Sequence, residues 1–227
     1  MADVEITVAN DAVEAAHVVA RRLAEQAREG GHVALTGGSS PRVAYELAAE
    51  LEPAWNRVEV WWGDERCVPP DDSRSNYGMA KAALLDRLSA LPSGIHRMQG
   101  ELGAQAGADA YEREIAGLEA FDLMLLGIGP DGHIASLYPN QPTLDETERR
   151  AVGAEAHLEP YVDRITLTLP VLRRSREVLF IVTGEDKADA VRRAFAGEPS
   201  HDTPASLVRA ELGPTHVVLD RGAAKSL

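Results

Sequence analysis

The sequence is poor in cysteine and in long apolar runs. Its one cysteine, Cys67, excludes an intramolecular disulfide and a cysteine-rich metal site. Its longest wholly apolar run, Val178 to Val182, is far shorter than the roughly 20 residues that a membrane span needs. Asp3 and Glu5 stand where a signal peptide would carry basic residues before an apolar stretch. We therefore expect a cytoplasmic protein that does not associate with a membrane.

Basic residues are also scarce relative to acidic ones. The chain has 23 Lys and Arg against 36 Asp and Glu, which gives a formal net charge of −13. A surface that binds nucleic acid carries a basic patch, so we expect no nucleic-acid partner. The same charge repels small anions at long range, and an anionic substrate would need cations and backbone N–H groups gathered at its site.

Short apolar or β-branched runs alternate with longer amphipathic stretches, a pattern typical of parallel α/β proteins. The predicted strands cover residues 5–8, 32–36, 58–62, 121–126, 164–169, 178–183 and 215–219. The predicted helices cover residues 12–29, 41–51, 77–88, 104–118 and 186–196. No repeat or linker divides the chain. We therefore predict one domain over residues 1–227, a three-layer α/β/α Rossmann-like fold with a mainly parallel sheet.

The most informative motif is the glycine-rich run from Gly127 to Pro139, which follows a predicted strand. Gly127, Gly129 and Gly132 fit the G-x-G-x-x-G dinucleotide fingerprint. That fingerprint needs a helix that begins at once and receives the pyrophosphate at its N-terminus. Because Pro139 follows so soon, a long helix is disfavoured, and the dinucleotide hypothesis is the weaker one.

The stronger hypothesis is that the glycines hold His133 over a ligand. A histidine near pH 7 can take a proton from water and return it to a leaving oxygen. Asp131 stands two residues earlier and is placed to orient the ring. The alternative is a surface loop whose histidine has no role, but the position at a strand's carboxyl end favours a catalytic one.

A second candidate site is the turn Thr36 to Pro41, which lies between a predicted strand and a helix. Free backbone N–H groups at a helix N-terminus, with Gly38 and Ser39 beside them, can hold an anion. The turn is not a Walker loop, because the final Gly-Lys-Ser/Thr is missing. An ordinary capped turn is the alternative.

Charged side chains follow other strand ends. Asp64 can orient sugar hydroxyls, and Arg74 offers a planar fork to a phosphate. Arg164 and Lys187 put further cations near strand ends, although each could be a plain surface charge. No H-x-H or H-E-x-x-H spacing is present, so we predict no metal site.

Taken together, these motifs resemble the family of glucosamine-6-phosphate isomerases and 6-phosphogluconolactonases, over nearly the whole chain. The resemblance rests on Leu35 to Pro41, Asp64-Glu65-Arg66, Ser73 to Asn76 and, most specifically, Gly127 to Pro139. It implies a Rossmann-like fold that binds sugar phosphates without a metal or nucleotide cofactor. It gives no reason to expect an obligate protein partner.

By this resemblance His133 matches the catalytic histidine, and Asp64 and Asp131 match acidic positions beside the sugar. The anion-binding positions of the family fall on Gly38, Ser39, Arg74, Arg164 and Lys187. The implied reaction of the lactonase branch is hydrolysis of 6-phospho-D-glucono-1,5-lactone to 6-phospho-D-gluconate, in the oxidative part of the pentose phosphate pathway. Which carboxylate, Asp64 or Asp131, partners His133 stays open at this point.

The isomerase branch of the family is disfavoured. Its motif ends in Ala-Phe-Asn-Glu-Pro, whereas this chain has Tyr138 in the position of that glutamate. Moving a proton between adjacent carbons needs the missing acid–base group, and hydrolysis of a lactone does not. Two further alternatives remain, a dinucleotide-dependent oxidoreductase and a non-catalytic module that binds sugar phosphates.

Overall fold

The computed structural model of the chain describes residues 4–157 and 159–227. The strands within them, numbered β1 to β10, are Val4–Ala9, Gly31–Leu35, Val58–Trp62, Asp64–Arg66, Gly94–His96, Leu123–Leu126, Ala151–Ala154, Arg164–Leu167, Val178–Val182 and Thr215–Asp220. The α-helices, numbered α1 to α6, are Ala12–Glu29, Ser39–Leu51, Asn76–Ala83, Ala104–Ile115, Leu169–Arg173 and Ala188–Phe195. Short 3-10 helices cover Leu85–Arg87, Gly100–Leu102, Pro142–Asp145, Glu185–Lys187 and Pro204–Leu207. None of the helices in these ranges is long and apolar enough to cross a bilayer.

Seven strands form one central sheet in the order β1-β10-β9-β6-β2-β3-β5, and every neighbouring pair is parallel. The sheet has helices on both faces. One face packs against α1, α2 and α3, and the other against α4, α5 and α6. Side chains alternate along β3 to match, since Val60 and Trp62 join the first layer and Trp61 joins the second. The predicted three-layer α/β/α fold is confirmed.

Three short strands form a second, antiparallel sheet in the order β4-β8-β7. Its strand β4 follows the central strand β3 directly along the chain. This sheet pairs Asp64–Arg66 with Arg164–Leu167, so that Asp64 lies opposite Thr166 and Arg66 opposite Arg164. The predicted strand at 164–169 is therefore real but belongs to this smaller sheet and ends at Leu167. It pairs with the nearby β7 and with β4, which lies about 100 residues earlier along the chain, and periodicity alone could not reveal the distant pairing.

Some element boundaries differ from the predicted ones, in one case because a side chain hydrogen-bonds to the backbone groups at the end of a strand. The strand predicted at 32–36 ends at Leu35, because the Tyr45 hydroxyl binds both backbone groups of Thr36. Helix α2 begins at Ser39 rather than at Pro41, and Gly38 occupies its N-cap position with φ +116°. By contrast, α1 begins as predicted, since the Asp11 carboxylate accepts the Glu14 N–H at 2.9 Å.

Candidate active site

A cleft of about 400 Å³ opens at the carboxyl ends of β2, β3 and β6. At this point the order of the strands reverses. From β2 the chain moves to β3 on one side, whereas β6, on the other side of β2, is followed by β9 further in that direction. Open α/β sheets bind ligands at such a switch point. The sequence-predicted residues that border the cleft are Gly38, Asp64, His133, Arg164 and Lys187.

The loop after β6 holds His133 against Asp131. The ring Nδ1 lies 2.6 Å from Oδ1 of Asp131, and the His133 backbone N–H donates to the same oxygen at 3.1 Å. Gly129 closes the loop, because its N–H donates to the C=O of His133 at 3.0 Å. A Cβ atom at Gly129 would collide with the imidazole ring, so only glycine lets the loop pack this closely around it.

The hydrogen bond to Asp131 determines which nitrogen of the neutral His133 ring carries the proton. Burial opposes ionisation of the Asp131 carboxyl, but hydrogen bonding and charge interaction with His133 outweigh it and lower its pKa below the ordinary value. An ionised Asp131 accepts Nδ1–H, which leaves the lone pair of the neutral ring on Nε2. No described residue bonds that Nε2. The ring is therefore arranged to accept a proton at Nε2 from a molecule in the cleft.

Arg193 of α6 holds the loop of residues 127–133 from outside the cleft. Its guanidinium donates to the C=O of Asp131 at 3.3 Å and to the Thr203 hydroxyl at 2.6 Å. The Ala205 N–H donates to the C=O of Gly132 at 3.0 Å. Gly132 has φ +96°, and a Cβ there would lie 2.9 Å from Thr203. The loop is thus tied to two segments that follow it by more than sixty residues.

Tyr138 packs against the His133 ring, with the two ring centroids 5.0 Å apart. It is buried, borders the cleft, and packs on its far side against His157 at 5.1 Å. The tyrosine at the position of the isomerase glutamate therefore supplies an aromatic wall rather than a carboxylate.

The Asp64 carboxylate borders the cleft itself, and it is not bonded to His133. Its Oδ2 accepts the Ser136 hydroxyl at 2.6 Å, and its Oδ1 accepts the Asn76 side-chain amide at 3.2 Å. Ser136 and Asn76 are themselves buried. The structure thus pairs Asp131, rather than Asp64, with the histidine and fixes Asp64 through a separate network.

The turn between β2 and α2 forms one wall of the cleft through Gly37 and Gly38. Among the described residues, the N–H groups of Ser39 and Ser40 have no hydrogen-bond partner. The Ser40 hydroxyl lies 2.5 Å from the Thr183 hydroxyl, which joins this helix end to the end of β9. Free N–H groups at the N-terminus of a helix of this length favour an anion.

Three cations border the cleft, Arg66, Arg164 and Lys187. Arg66 and Arg164 lie directly opposite each other in the antiparallel sheet, an arrangement that repels unless an anion lies between or beside them. The buried Arg164 donates to the carbonyls of Val162 and Pro160, which fixes its guanidinium. Asp64 and Glu159 also border the cleft, so its lining carries three cations against two carboxylates in a protein whose net charge is −13.

Three of the sequence-predicted residues do not border the cleft: Asp131, which is bonded to His133, Arg74 and Ser39. Arg74 is exposed, and its guanidinium makes a bidentate pair with Asp72 at 2.9 and 2.7 Å. Ser39 is exposed at the first position of α2. The Ser39 N–H has no partner among the described residues, whereas Arg74 would have to leave Asp72 to reach a ligand.

Sequence reasoning missed several residues of the cleft, among them Arg66, Asn76 and Ser136. Each stands inside a motif that carried the resemblance, so the signal was present. What was absent was the pairing of β4 with β8, which turns Arg66 into a neighbour of Arg164. No group of three or more His, Cys, Asp or Glu residues in the described ranges could hold a metal ion.

These features define an α/β protein with a histidine–carboxylate pair at a cleft bordered by three cations. A family model described as glucosamine-6-phosphate isomerases/6-phosphogluconolactonase matches residues 7–217. The chain belongs to this family, and the resemblance inferred from its motifs is confirmed.

Known relatives support a finer comparison. The chain is 44% identical to the 6-phosphogluconolactonase of Mycobacterium leprae, over 79% of this chain and 78% of that protein. It is 36% identical to the human 6-phosphogluconolactonase, over 93% of this chain and 88% of that protein. The solved 6-phosphogluconolactonase from Trypanosoma cruzi superposes with a TM-score of 0.88 at 28% identity, covering 100% of this chain and 98% of that one. A monomeric glucosamine-6-phosphate deaminase shares the fold, with a TM-score of 0.86 at 23% identity.

Proposed function

We propose that this protein hydrolyses 6-phospho-D-glucono-1,5-lactone to 6-phospho-D-gluconate, with His133 as the general base. The observation that carries the proposal is the His133–Asp131 pair, whose imidazole keeps Nε2 free at a cleft bordered by three cations. The lactonase names of relatives that cover most of the chain support the same substrate.

In the proposed mechanism, Nε2 of His133 takes a proton from a water molecule whose oxygen attacks the lactone carbonyl carbon. The resulting oxyanion is stabilised by backbone N–H groups of the 127–133 loop or by a cation of the cleft. The bond from that carbon to the ring oxygen then breaks, and the imidazolium returns its proton to the departing oxygen. Asp131 stabilises the imidazolium between these two transfers. Such acid–base help is worth about a hundredfold to ten-thousandfold in rate.

The phosphate of the substrate is assigned to the cationic side of the cleft. Lys187 and the N–H groups near Gly38 and Ser39 lie at the ends of β9 and β2, which the Ser40–Thr183 contact joins. Arg164 and the unforeseen Arg66 add charge from the antiparallel sheet. Arg74 stays a candidate from the resemblance alone, on the condition that its pair with Asp72 opens. Fixing the phosphate makes the attack of water effectively unimolecular.

Asp64 is assigned to the sugar hydroxyls. Its bonds from Ser136 and Asn76 hold the carboxylate in one orientation at the edge of the cleft. A sugar that presents hydroxyl donors to it would be oriented with the lactone carbon towards His133.

The remaining assignments are broader. We propose a cytoplasmic location, no nucleic-acid partner and no obligate protein partner, with the chemistry carried by side chains and water alone. Strands β1 and β10, from opposite ends of the sequence, pair in one sheet, which supports treating residues 1–227 as one domain.

The test is a coupled assay with freshly prepared phosphorylated lactone, with the unphosphorylated lactone as the control. We expect a rate well above spontaneous ring opening for the first substrate and much weaker turnover of the second. Binding of 6-phosphogluconate without any rate above the spontaneous one would instead define a non-catalytic module. Thermal stabilisation by NAD(P) would favour the dinucleotide hypothesis.

A further inference from the structure

Tyr45 of α2 is buried, and its hydroxyl serves both backbone groups of one residue. It accepts the N–H of Thr36 at 2.9 Å and donates to the C=O of Thr36 at 2.8 Å. Burial raises the pKa of Tyr45, so the hydroxyl keeps its proton and can donate and accept at once. Thr36 is the last residue before the Gly37–Gly38 turn, where β2 gives way to the cleft.

The hydroxyl replaces a missing strand partner. Strand β2 pairs with β6 only at Val33 and Ala34, because the two strands separate towards the cleft. The backbone groups of Thr36 lie past that point and are buried. Buried N–H and C=O groups without partners are costly, and the Tyr45 hydroxyl satisfies both of them.

The turn beyond Thr36 has few other anchors. Within the part of the chain that the structure describes, neither the N–H nor the C=O of Gly37 has a hydrogen-bond partner. Tyr45 also belongs to the helix whose first residues, Ser39 and Ser40, carry the unpaired N–H groups. One side chain therefore ties the end of β2 to the helix that forms the other half of the anion-binding turn.

We propose that Tyr45 is a positioning residue whose hydroxyl fixes the Gly37–Gly38 turn against α2, so that the turn and helix N–H groups receive the substrate phosphate together. The proposal rests on the proposed function, because it takes the phosphate of the lactone as the anion. Tyr45 lies outside the cleft lining and acts through Thr36.

Tyr111 of α4 provides a matched control. Its buried hydroxyl accepts the N–H of Trp62 at 3.1 Å and donates to the C=O of Trp62 at 3.2 Å, at the end of the neighbouring strand β3. The next residue, however, is held independently, since the Gly63 N–H donates to Leu35 and its C=O accepts from Leu167, both at 2.9 Å. Loss of the Tyr111 hydroxyl removes the same two bonds without freeing a phosphate-binding turn.

The experiment compares Tyr45→Phe and Tyr111→Phe in steady-state kinetics with the phosphorylated and unphosphorylated lactones. For Tyr45→Phe we expect KM for the phosphorylated lactone to rise about tenfold, as for the loss of one well-made polar contact, with kcat within about twofold. Its kcat/KM for the unphosphorylated lactone should stay within about twofold. Tyr111→Phe should leave the ratio of kcat/KM between the two substrates unchanged.

An unchanged KM in folded Tyr45→Phe overturns the proposal, as does an equal loss on both substrates or the same KM effect in Tyr111→Phe. If Tyr45→Phe does not fold, Tyr45→4-aminophenylalanine keeps the ring volume and the donor to Thr36, and a smaller rise in the same KM is then required.

If the wild-type chain proves inactive, the proposed function fails, and calorimetry with inorganic phosphate still tests Tyr45. Weaker phosphate binding by Tyr45→Phe than by Tyr111→Phe supports the positioning role, and equal binding overturns it.

Discussion

Three histidines in the described residues hydrogen-bond to carboxylates, and two of them, His133 and His96, lie in different cavities along the central sheet. His133 follows β6 and borders the cleft at the carboxyl ends of the strands. His96 borders a cavity of about 460 Å³ whose lining includes His32 near the start of β2 and Glu59 near the start of β3. The first histidine has one carboxylate partner, Asp131, whereas the second has two.

The difference lies in the nitrogen that stays free. In His96, Nδ1 lies 2.8 Å from Glu114 and Nε2 lies 3.0 Å from Glu59, and the ring stacks on Trp61 with centroids 3.8 Å apart. Both nitrogens are occupied, so the ring has no site for proton exchange with a substrate. His133 also contacts a carboxylate, but only through Nδ1. Its Nε2 has no partner among the described residues, which makes His133 the candidate base.

The largest expected effect that separates the two sites comes from His133→Ala, with His96→Ala as the matched control. We expect kcat of His133→Ala to fall about a hundredfold to ten-thousandfold, because the general base is lost. The His96 variant should keep its kcat. Calorimetry should show that His133→Ala still binds 6-phosphogluconate, and turnover that survives in this variant would exclude His133 as the base.

Asp131→Asn tests whether the single carboxylate orients the ring. The asparagine keeps the shape but can present its amide to Nδ1, so Nε2 no longer holds the lone pair. We expect kcat to fall about a hundredfold, as when other histidine-orienting carboxylates are neutralised. Glu114→Gln makes the same change at His96 and should leave kcat as it is; equal losses in both variants would mean a general effect on folding.

The cations of the two cavities give a third contrast. Arg66→Met should raise KM for the phosphorylated lactone about tenfold and change kcat less, because a charged contact to the phosphate is lost. Arg176 borders the other cavity and pairs with Asp122 at 3.2 Å, so Arg176→Met is the control for the loss of one positive charge. A similar KM in both variants would place the phosphate away from Arg66.

The smallest expected effect concerns stability. The pKa of Asp131 is lowered in the folded protein, so its ionised form contributes stability above the ordinary aspartate pKa of about 3.9, and that contribution is lost as the pH falls through the lower folded value. The part of the stability difference between the wild type and Asp131→Asn that comes from the ionised Asp131 should therefore shrink below about pH 4. Urea unfolding across this range measures it, and a difference that grows in acid would contradict the assigned direction.

Much of the fold could be predicted because its strands carry strong local signals. The continuous apolar run of β9 and the alternation of Val60, Trp61 and Trp62 in β3 reflect burial on both faces of the sheet. The glycines around His133 likewise mark a close backbone approach, which the Gly129 contact bears out. These features depend on residues that are close together along the chain, so they can be predicted from local sequence patterns.

The rest of the site depends on contacts between distant segments. Strands β4, β5 and β7 have three or four residues each, too few for a recognisable period. The opposition of Arg66 and Arg164 follows only from the pairing of one of these short strands, β4, with β8. Arg74 could not be placed from sequence either, because its nearby carboxylate Asp72 competes with any ligand for the same guanidinium.

The pairing of β1 with β10 has a consequence for the order of assembly during synthesis. Val4–Ala9 leaves the ribosome about 200 residues before Thr215–Asp220, its one neighbour in the described part of the sheet. At about 5–20 residues per second, the first strand waits on the order of ten seconds for that neighbour. The edge of the sheet is therefore closed last, and a nascent chain stalled before residue 215 would expose both β1 and the open side of β9 to other chains.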